Sequence, residues 1–150
     1  MFCGVPDSMQ RITVLLADDN RAVRKEFRKI LEREADLEVV GEAKDGHQAV
    51  AMAKKLHPAL VLMDVAMPLL NGLQATRQIL EAAPATHVLM LSAYEDDAYV
   101  EASINSGAMG YLLKQTCAGC VCSAIREVQK GNPFFSPSIP RRLHKRSANQ

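Results

Sequence analysis

Residues Leu60–Gly72 read LVLMDVAMPLLNG. An apolar run leads into a single acidic residue, Asp64, and Met67-Pro68 and Asn71-Gly72 follow before helical spacing resumes. A short unbroken run of Leu, Val and Met suits a strand buried on both faces of a parallel sheet. A carboxylate at its end is a misplaced charge, a helix cap, or a reactive group held at the rim of a rigid sheet. The rest of the chain decides between these.

Working outward, the same texture recurs at Ile12–Ala17 (ITVLLA), Glu38–Ala43 (EVVGEA), Ala59–Asp64 (ALVLMD), His87–Ser92 (HVLMLS) and Met109–Lys114 (MGYLLK). Helical spacing fills the gaps. After Asn20, a good cap, Val23, Phe27, Ile30 and Leu31 share one face, while Arg24, Lys25, Arg28 and Lys29 fall elsewhere. Asp45-Gly46 precedes HQAVAMAKKL, with Val50, Ala53 and Leu56 on one side. Further helices are predicted after Asn71-Gly72, from about Glu95 to Asn105, and from about Cys117 to Lys130. Strands alternating with helices predict an α/β fold with helices on both faces of the sheet. Right-handed crossovers then leave a flavodoxin-like (βα)5 doubly wound parallel sheet, strand order 2-1-3-4-5. After Gly131 the texture changes to NPFFSPSIPRRLHKRSANQ, with three prolines and a basic cluster. The predicted layout is an N-terminal extension over 1–10, a folded domain over 11–131, and a linker or basic tail over 132–150.

Composition narrows the function classes. The chain has 150 residues, 48% hydrophobic and 23% charged, with a formal net charge of +1. No bulk field therefore draws it to nucleic acid or a membrane. No apolar run approaches the roughly 20 residues needed to cross a bilayer. The start, MFCGVPDSMQR, lacks the basic-then-apolar order of a secretory signal. Its four cysteines are expected as thiols in a reducing cytoplasm.

In a doubly wound sheet, ligands sit outside the carboxyl ends of the strands, at the point where the winding reverses. Here the first strand ends in Asp18-Asp19, the third in Asp64, the fourth in Ser92 and the fifth in Lys114. The predicted order sets strands one and three side by side, so three carboxylates crowd one crevice. Crowded carboxylates raise one another's pKa unless a cation joins them. A hard divalent ion with oxygen ligands, Mg²⁺ above all, suits such a site. Lys114 adds a fixed positive charge and Ser92 a hydroxyl donor, so metal, ammonium and hydroxyl would surround a phosphoryl group. Asp64 is the natural nucleophile, giving an aspartyl phosphate. Pro68 sets the path of the loop beside it, and small Ala93 leaves room for the phosphoryl group.

This constellation resembles the receiver domain of two-component response regulators, over roughly Arg11 to Gly131. The resemblance rests on Asp18-Asp19, on DVAMPLLNG matching D-x-x-M-P-x-x-[DN]-G, on Ser92-Ala93, and on GAMGYLLK. It implies that Asp64 accepts phosphate from a sensor histidine kinase. It also implies that Asp18, Asp19, Asp64 and the backbone carbonyl of Ala66 hold Mg²⁺. Ser92 and Tyr111 would form a switch pair, Lys114 would contact the phosphate, and Ala66 and Tyr94 would tune the phosphate's lifetime. The protein so implied is a switch and not a turnover enzyme. Gln115 follows Lys114 where many receivers carry proline. LLKQT together with AIREVQKGNPFFSP resembles the NarL/FixJ type, in which a LuxR-type helix-turn-helix domain follows. The chain is accordingly expected to be cut within an interdomain linker, a stand-alone receiver being the alternative. DNA would be reached only through that further domain. Dimerisation would use the face of helix four, strand five and helix five, or the face of helices one and five.

Rival classes are weaker. A haloacid-dehalogenase-like phosphatase needs a second Asp two residues after the first, where Ala66 stands. A flavodoxin-like electron carrier needs a hydroxyl- and glycine-rich phosphate loop where Asp18-Asp19 would repel the ligand. Cys117, Cys120 and Cys122 have C-x-x-C spacing, but a tetrahedral zinc site wants a fourth ligand and only Cys3, His144 or another histidine could supply it. They are taken as ordinary thiols on the last helix. The cluster Arg141, Arg142, His144, Lys145 and Arg146 is taken as a solvated tail.

Overall fold

A computed structural model describes residues 11–115 and 118–139. The strands are β1 (Ile12–Ala17), β2 (Leu37–Ala43), β3 (Leu60–Asp64), β4 (His87–Ser92), β5 (Gly110–Leu113) and β6 (Phe134–Phe135). Between them run α1 (Arg21–Glu32), α2 (Gly46–Leu56), α3 (Gly72–Ala82), α4 (Asp97–Asn105) and α5 (Ala118–Gln129). All pairings are parallel, in the order β2-β1-β3-β4-β5-β6. The predicted flavodoxin-like order is present, with one short strand added at its edge.

Alternation within each strand explains the two layers. In β1, Leu15 and Ala17 enter the core beneath α2, α3 and α4, where Ala53, Ile79 and Val100 also lie. Val14 and Leu16 enter the opposite core with Phe27 and Leu31 of α1 and Val121 and Ile125 of α5. Both faces are covered, so strands read as continuous apolar runs rather than alternating ones.

Caps and close approaches set the loops at the carboxyl edge of the sheet. Asn20 accepts from the Ala22 and Val23 amides, and Asp45 accepts from Gln48, each starting a helix. At α3 a reciprocal capping box joins Asn71 and Gln74. Gly72 seats this helix against β3: a Cβ there would lie 2.0 Å from the Asp64 carbonyl oxygen. Only glycine lets the helix come that near.

The segment after Gly131, expected as linker, is folded as far as Ile139. Phe134 and Phe135 pair with Gly110 and Tyr111 of β5. Ser136 Oγ accepts the Leu113 amide at 2.9 Å, and the Ser136 amide donates to the Tyr111 carbonyl at 3.0 Å. Phe135 and Ile139 are buried. The physical cause is the open edge of β5, whose unpaired backbone groups and adjoining apolar surface this segment covers. The N-terminal extension and the basic cluster at 141–146 lie outside the described residues. Among the described residues, no helix is long and apolar enough to cross a membrane.

Candidate functional site

Strand register brings the polar strand ends to one edge. Ala17 lies opposite Met63, Asp64 opposite Leu91, and Ser92 opposite Leu113. The residues that follow β1 and β5 therefore flank Asp64 on either side. Carboxylate oxygens of Asp18, Asp19 and Asp64 all lie within 4.8 Å of one another. Lys114 Nζ lies 2.8 Å from Asp18 Oδ2 and 3.4 Å from Asp64 Oδ1.

Asp18 and Asp64 are buried, whereas Asp19 is exposed at the mouth. Asp18 Oδ1 accepts the Asn20 amide at 2.8 Å. Its Oδ2 is buried and, though paired in charge with Lys114, makes no hydrogen bond of good geometry. A buried carboxylate oxygen with spare lone pairs, beside two further carboxylates, is a donor set that fits a hard divalent cation. Asp64 Oδ1 accepts the Ala66 amide at 3.3 Å, which curls the loop back over the carboxylate.

The electrostatics follow from this crowding. Burial, then the neighbouring Asp18 charge, pushes the Asp64 carboxyl up to about 7, against the opposing pull of Lys114. Burial works against the Lys114 ammonium, but the contacts with Asp18 and Asp64 outweigh it and hold its pKa above the usual lysine range.

An open cleft of about 480 Å³ lies over Asp64, lined by Asp19, Asn20, Asp64, Ala66, Ala93, Tyr94 and Lys114. Ser92 lies beneath this lining, fully buried, with Oγ accepting the Tyr94 amide at 3.0 Å. It thus sits behind the cleft wall rather than in it. Tyr111 is also fully buried, and its hydroxyl donates to the Tyr94 carbonyl. Burial raises the Tyr111 pKa, and a hydrogen bond with Ser92 works the other way. Ser92 and Tyr111 are therefore neighbours joined through the Tyr94 loop.

The family model of the response regulator receiver domain matches residues 14–126. The chain belongs to this family. The receiver is 41% identical over 125 residues to the uncharacterized transcriptional regulatory protein YxjL of Bacillus subtilis, covering 83% of this chain and 57% of that protein. It is 36% identical to the transcriptional regulatory protein DegU of Brevibacillus brevis, covering 90% of this chain and 57% of that one. This receiver thus spans a little over half the length of those relatives. Among solved structures, the signal receiver domain of the putative response regulator NarL from Mycobacterium tuberculosis matches with a TM-score of 0.79 and 30% identity. That match covers 81% of this chain and 98% of that one. A LuxR-family two-component response regulator from Aurantimonas matches with a TM-score of 0.84 and 28% identity, covering 92% and 99%.

Sequence reasoning missed some residues at this site. Arg24, placed by helical spacing off the apolar face of α1, has a side chain only 13% exposed. Its Nη1 donates to the Asp18 carbonyl at 2.6 Å. Leu69, in the loop after β3, has φ +70° and is 80% exposed. It sits at the centre of a γ-turn in which the Leu70 amide donates to the Pro68 carbonyl at 2.8 Å. No periodic signal marks either. Elsewhere, α4 starts at Asp97, slightly later than spacing predicted. Burial raises the Cys122 thiol pKa, so this position on α5 does not activate it. Among the described residues, Asp18, Asp19 and Asp64 are the one cluster of His, Cys and acidic side chains arranged to hold a metal. Cys3, Cys117 and His144 lie outside the described residues.

Proposed function

We propose that this chain is the phosphorylation-activated receiver of a transcription regulator, accepting a phosphoryl group from a sensor histidine kinase on Asp64. One observation carries the reading: Asp64 stands at the sheet edge with a lysine ammonium 3.4 Å from Oδ1 and two further carboxylates clustered beside it. A carboxylate in that setting is both nucleophile and site of charge compensation.

Asp18, Asp19, Asp64 and the Ala66 carbonyl would hold Mg²⁺. When bound, the ion neutralises the crowded carboxylates and offsets charge on the transferring group. The chain's own groups do the rest. An oxygen of ionised Asp64 attacks the phosphorus of a phosphohistidine, and the imidazole leaves as the phosphorus–nitrogen bond breaks. Lys114, already poised between Asp18 and Asp64, swings its ammonium to the phosphoryl oxygens. Ser92 reaches the same oxygens only by turning its hydroxyl from the Tyr94 amide toward the cleft. That change releases the Tyr94 loop, which also holds the Tyr111 hydroxyl, and so biases a two-state surface around α4 and β5. Ala66 and Tyr94 line the path of attacking water and tune the lifetime of the product.

The output is DNA binding through a further LuxR-type domain, as the transcriptional regulatory relatives support. The cell compartment is the cytoplasm, where a kinase's catalytic part would meet it. Dimerisation falls to the face of α1 and α5, because β6 already occupies the outer edge of β5. Ala66 in place of a second acid favours a switch over sustained phosphomonoester turnover.

The test is intact mass after incubation with Mg²⁺ and acetyl phosphate, beside Asp64→Ala. The expected result is a hydroxylamine-labile gain of one phosphoryl group that the variant lacks. A gain of equal size in the variant places the acceptor elsewhere.

A further inference from the structure

We propose that Arg24 is a positioning residue for the divalent-cation site, acting through the peptide that joins Asp18 to Asp19. The inference rests on the receiver reading and assigns a residue that the acidic cluster itself does not include.

The two acids are held differently. Asp18 is anchored three times: its amide donates to the Ala43 carbonyl at 3.0 Å, its Oδ1 accepts from Asn20, and its Oδ2 pairs with Lys114. Asp19 is exposed, and among the described residues no hydrogen bond or ion pair holds its carboxylate. Its position over the cleft is therefore set by the backbone alone. The peptide unit is planar, so fixing the Asp18 carbonyl also fixes the direction in which the Asp19 backbone departs.

Arg24 is the group that fixes that carbonyl. Its Nη1 donates to the Asp18 oxygen at 2.6 Å, while its Nε donates to Glu42 Oε1 at 3.0 Å. Glu42 is itself steadied, because Oε2 accepts from Arg28 Nη1 at 3.0 Å. The planar guanidinium thus bridges β2 and the loop after β1 with two bonds in fixed directions. A charged donor on a neutral carbonyl makes a stronger bond than a neutral one would. A solvated helix-surface arginine would show neither this burial nor these two partners. Without the bridge, the Asp18 carbonyl loses the charged donor that fixes its direction, the peptide tilts more freely, and Asp19 spends less time facing Asp64.

The test is Mg²⁺ titration of the full chain by calorimetry, with melting in EDTA recorded for each variant. Arg24→Met should weaken Mg²⁺ affinity by about 10- to 100-fold, as losses of groups that orient metal ligands do. Arg24→Lys should recover part of it, since one ammonium reaches the carbonyl without bridging to Glu42. Arg126→Met removes an arginine that pairs with Glu34 and Asp36 instead, and should bind like wild type. A purely structural arginine predicts lower melting in EDTA with unchanged Mg²⁺ affinity, and equal affinities for Arg24→Met and wild type overturn the inference alone. Should Arg24→Met fail to fold, Arg24→Lys and Glu42→Met carry the test, and wild-type affinity in both overturns it. Absence of Mg²⁺ binding by wild type overturns this inference together with the metal-dependent receiver reading.

Discussion

The Lys114 ammonium lies nearer to Asp18 Oδ2, at 2.8 Å, than to Asp64 Oδ1, at 3.4 Å. The charge is thus shared, with its greater weight on the carboxylate that does not line the cleft. Lys114→Met leaves the buried Asp18 carboxylate without its cation, while Asp64 takes up its proton more readily. Breaking such a pair removes about 3–5 kcal/mol, and partial exposure of the lysine places this case at the low end. Urea unfolding at neutral pH without divalent ions should show that loss, and added Mg²⁺ should recover part of it. Phosphorylation by acetyl phosphate should slow in the same variant.

Asp64 makes stability depend on pH in an unusual direction. The unfolded carboxyl loses its proton near 3.8, whereas the folded one keeps it to about 7. Between those values the folded state binds more protons, so this group's contribution to stability falls as pH rises. The full interval corresponds to roughly 4 kcal/mol. Asp36, held below its ordinary pKa by Arg126, acts in the opposite sense in acid. Comparing wild type with Asp64→Asn cancels it. The variant should gain on wild type from pH 4 to pH 7 in EDTA, and Mg²⁺ should flatten the difference. A pH-independent difference in EDTA contradicts the raised pKa.

The folded unit extends past Gly131. Phe135→Ala empties a buried site and should destabilise by about 3 kcal/mol. A chain ended at Gly131 should lose at least as much. Ser136→Ala is the finer probe, because Ser136 Oγ takes the Leu113 amide. Hydrogen exchange at Leu113 should quicken in that variant while β1 amides keep their protection.

Leu69 holds an unfavourable φ of +70° in the loop between β3 and α3, with its side chain in solvent. Leu69→Gly should raise stability by about 1 kcal/mol, because glycine adopts this conformation without steric penalty. An unchanged or lowered melting temperature would show that the leucine's contacts outweigh the strain.

The legible parts of the molecule were those with local causes. His87–Ser92 was read to the residue, because a run buried on both faces has no polar interruption until it leaves the sheet. Asn20, Asp45 and Asn71 announced their helices, since a cap is a bond between near neighbours. The polar strand ends were legible for the same reason: each stops an apolar run. Phe134–Phe135 was not legible as a strand. Two residues show no period, and they pair only because β5 presents an edge. The partner of Arg24 was not legible, because helical spacing reports which face a side chain leaves from, not that the Asp18 carbonyl waits 2.6 Å from its tip.

The amino-acid sequence alone determined the alternation of strands and helices, the parallel sheet and the set of polar residues at its rim. These follow from periodicity, capping and chain chirality, which act over a few residues. Tertiary structure alone decided the shared lysine, Ser92 behind the cleft wall, the inward Tyr111, the guanidinium bridge and the sixth strand. Each depends on distances between residues far apart in the chain. Those distances are set by how the whole sheet twists and packs, and no local pattern records them.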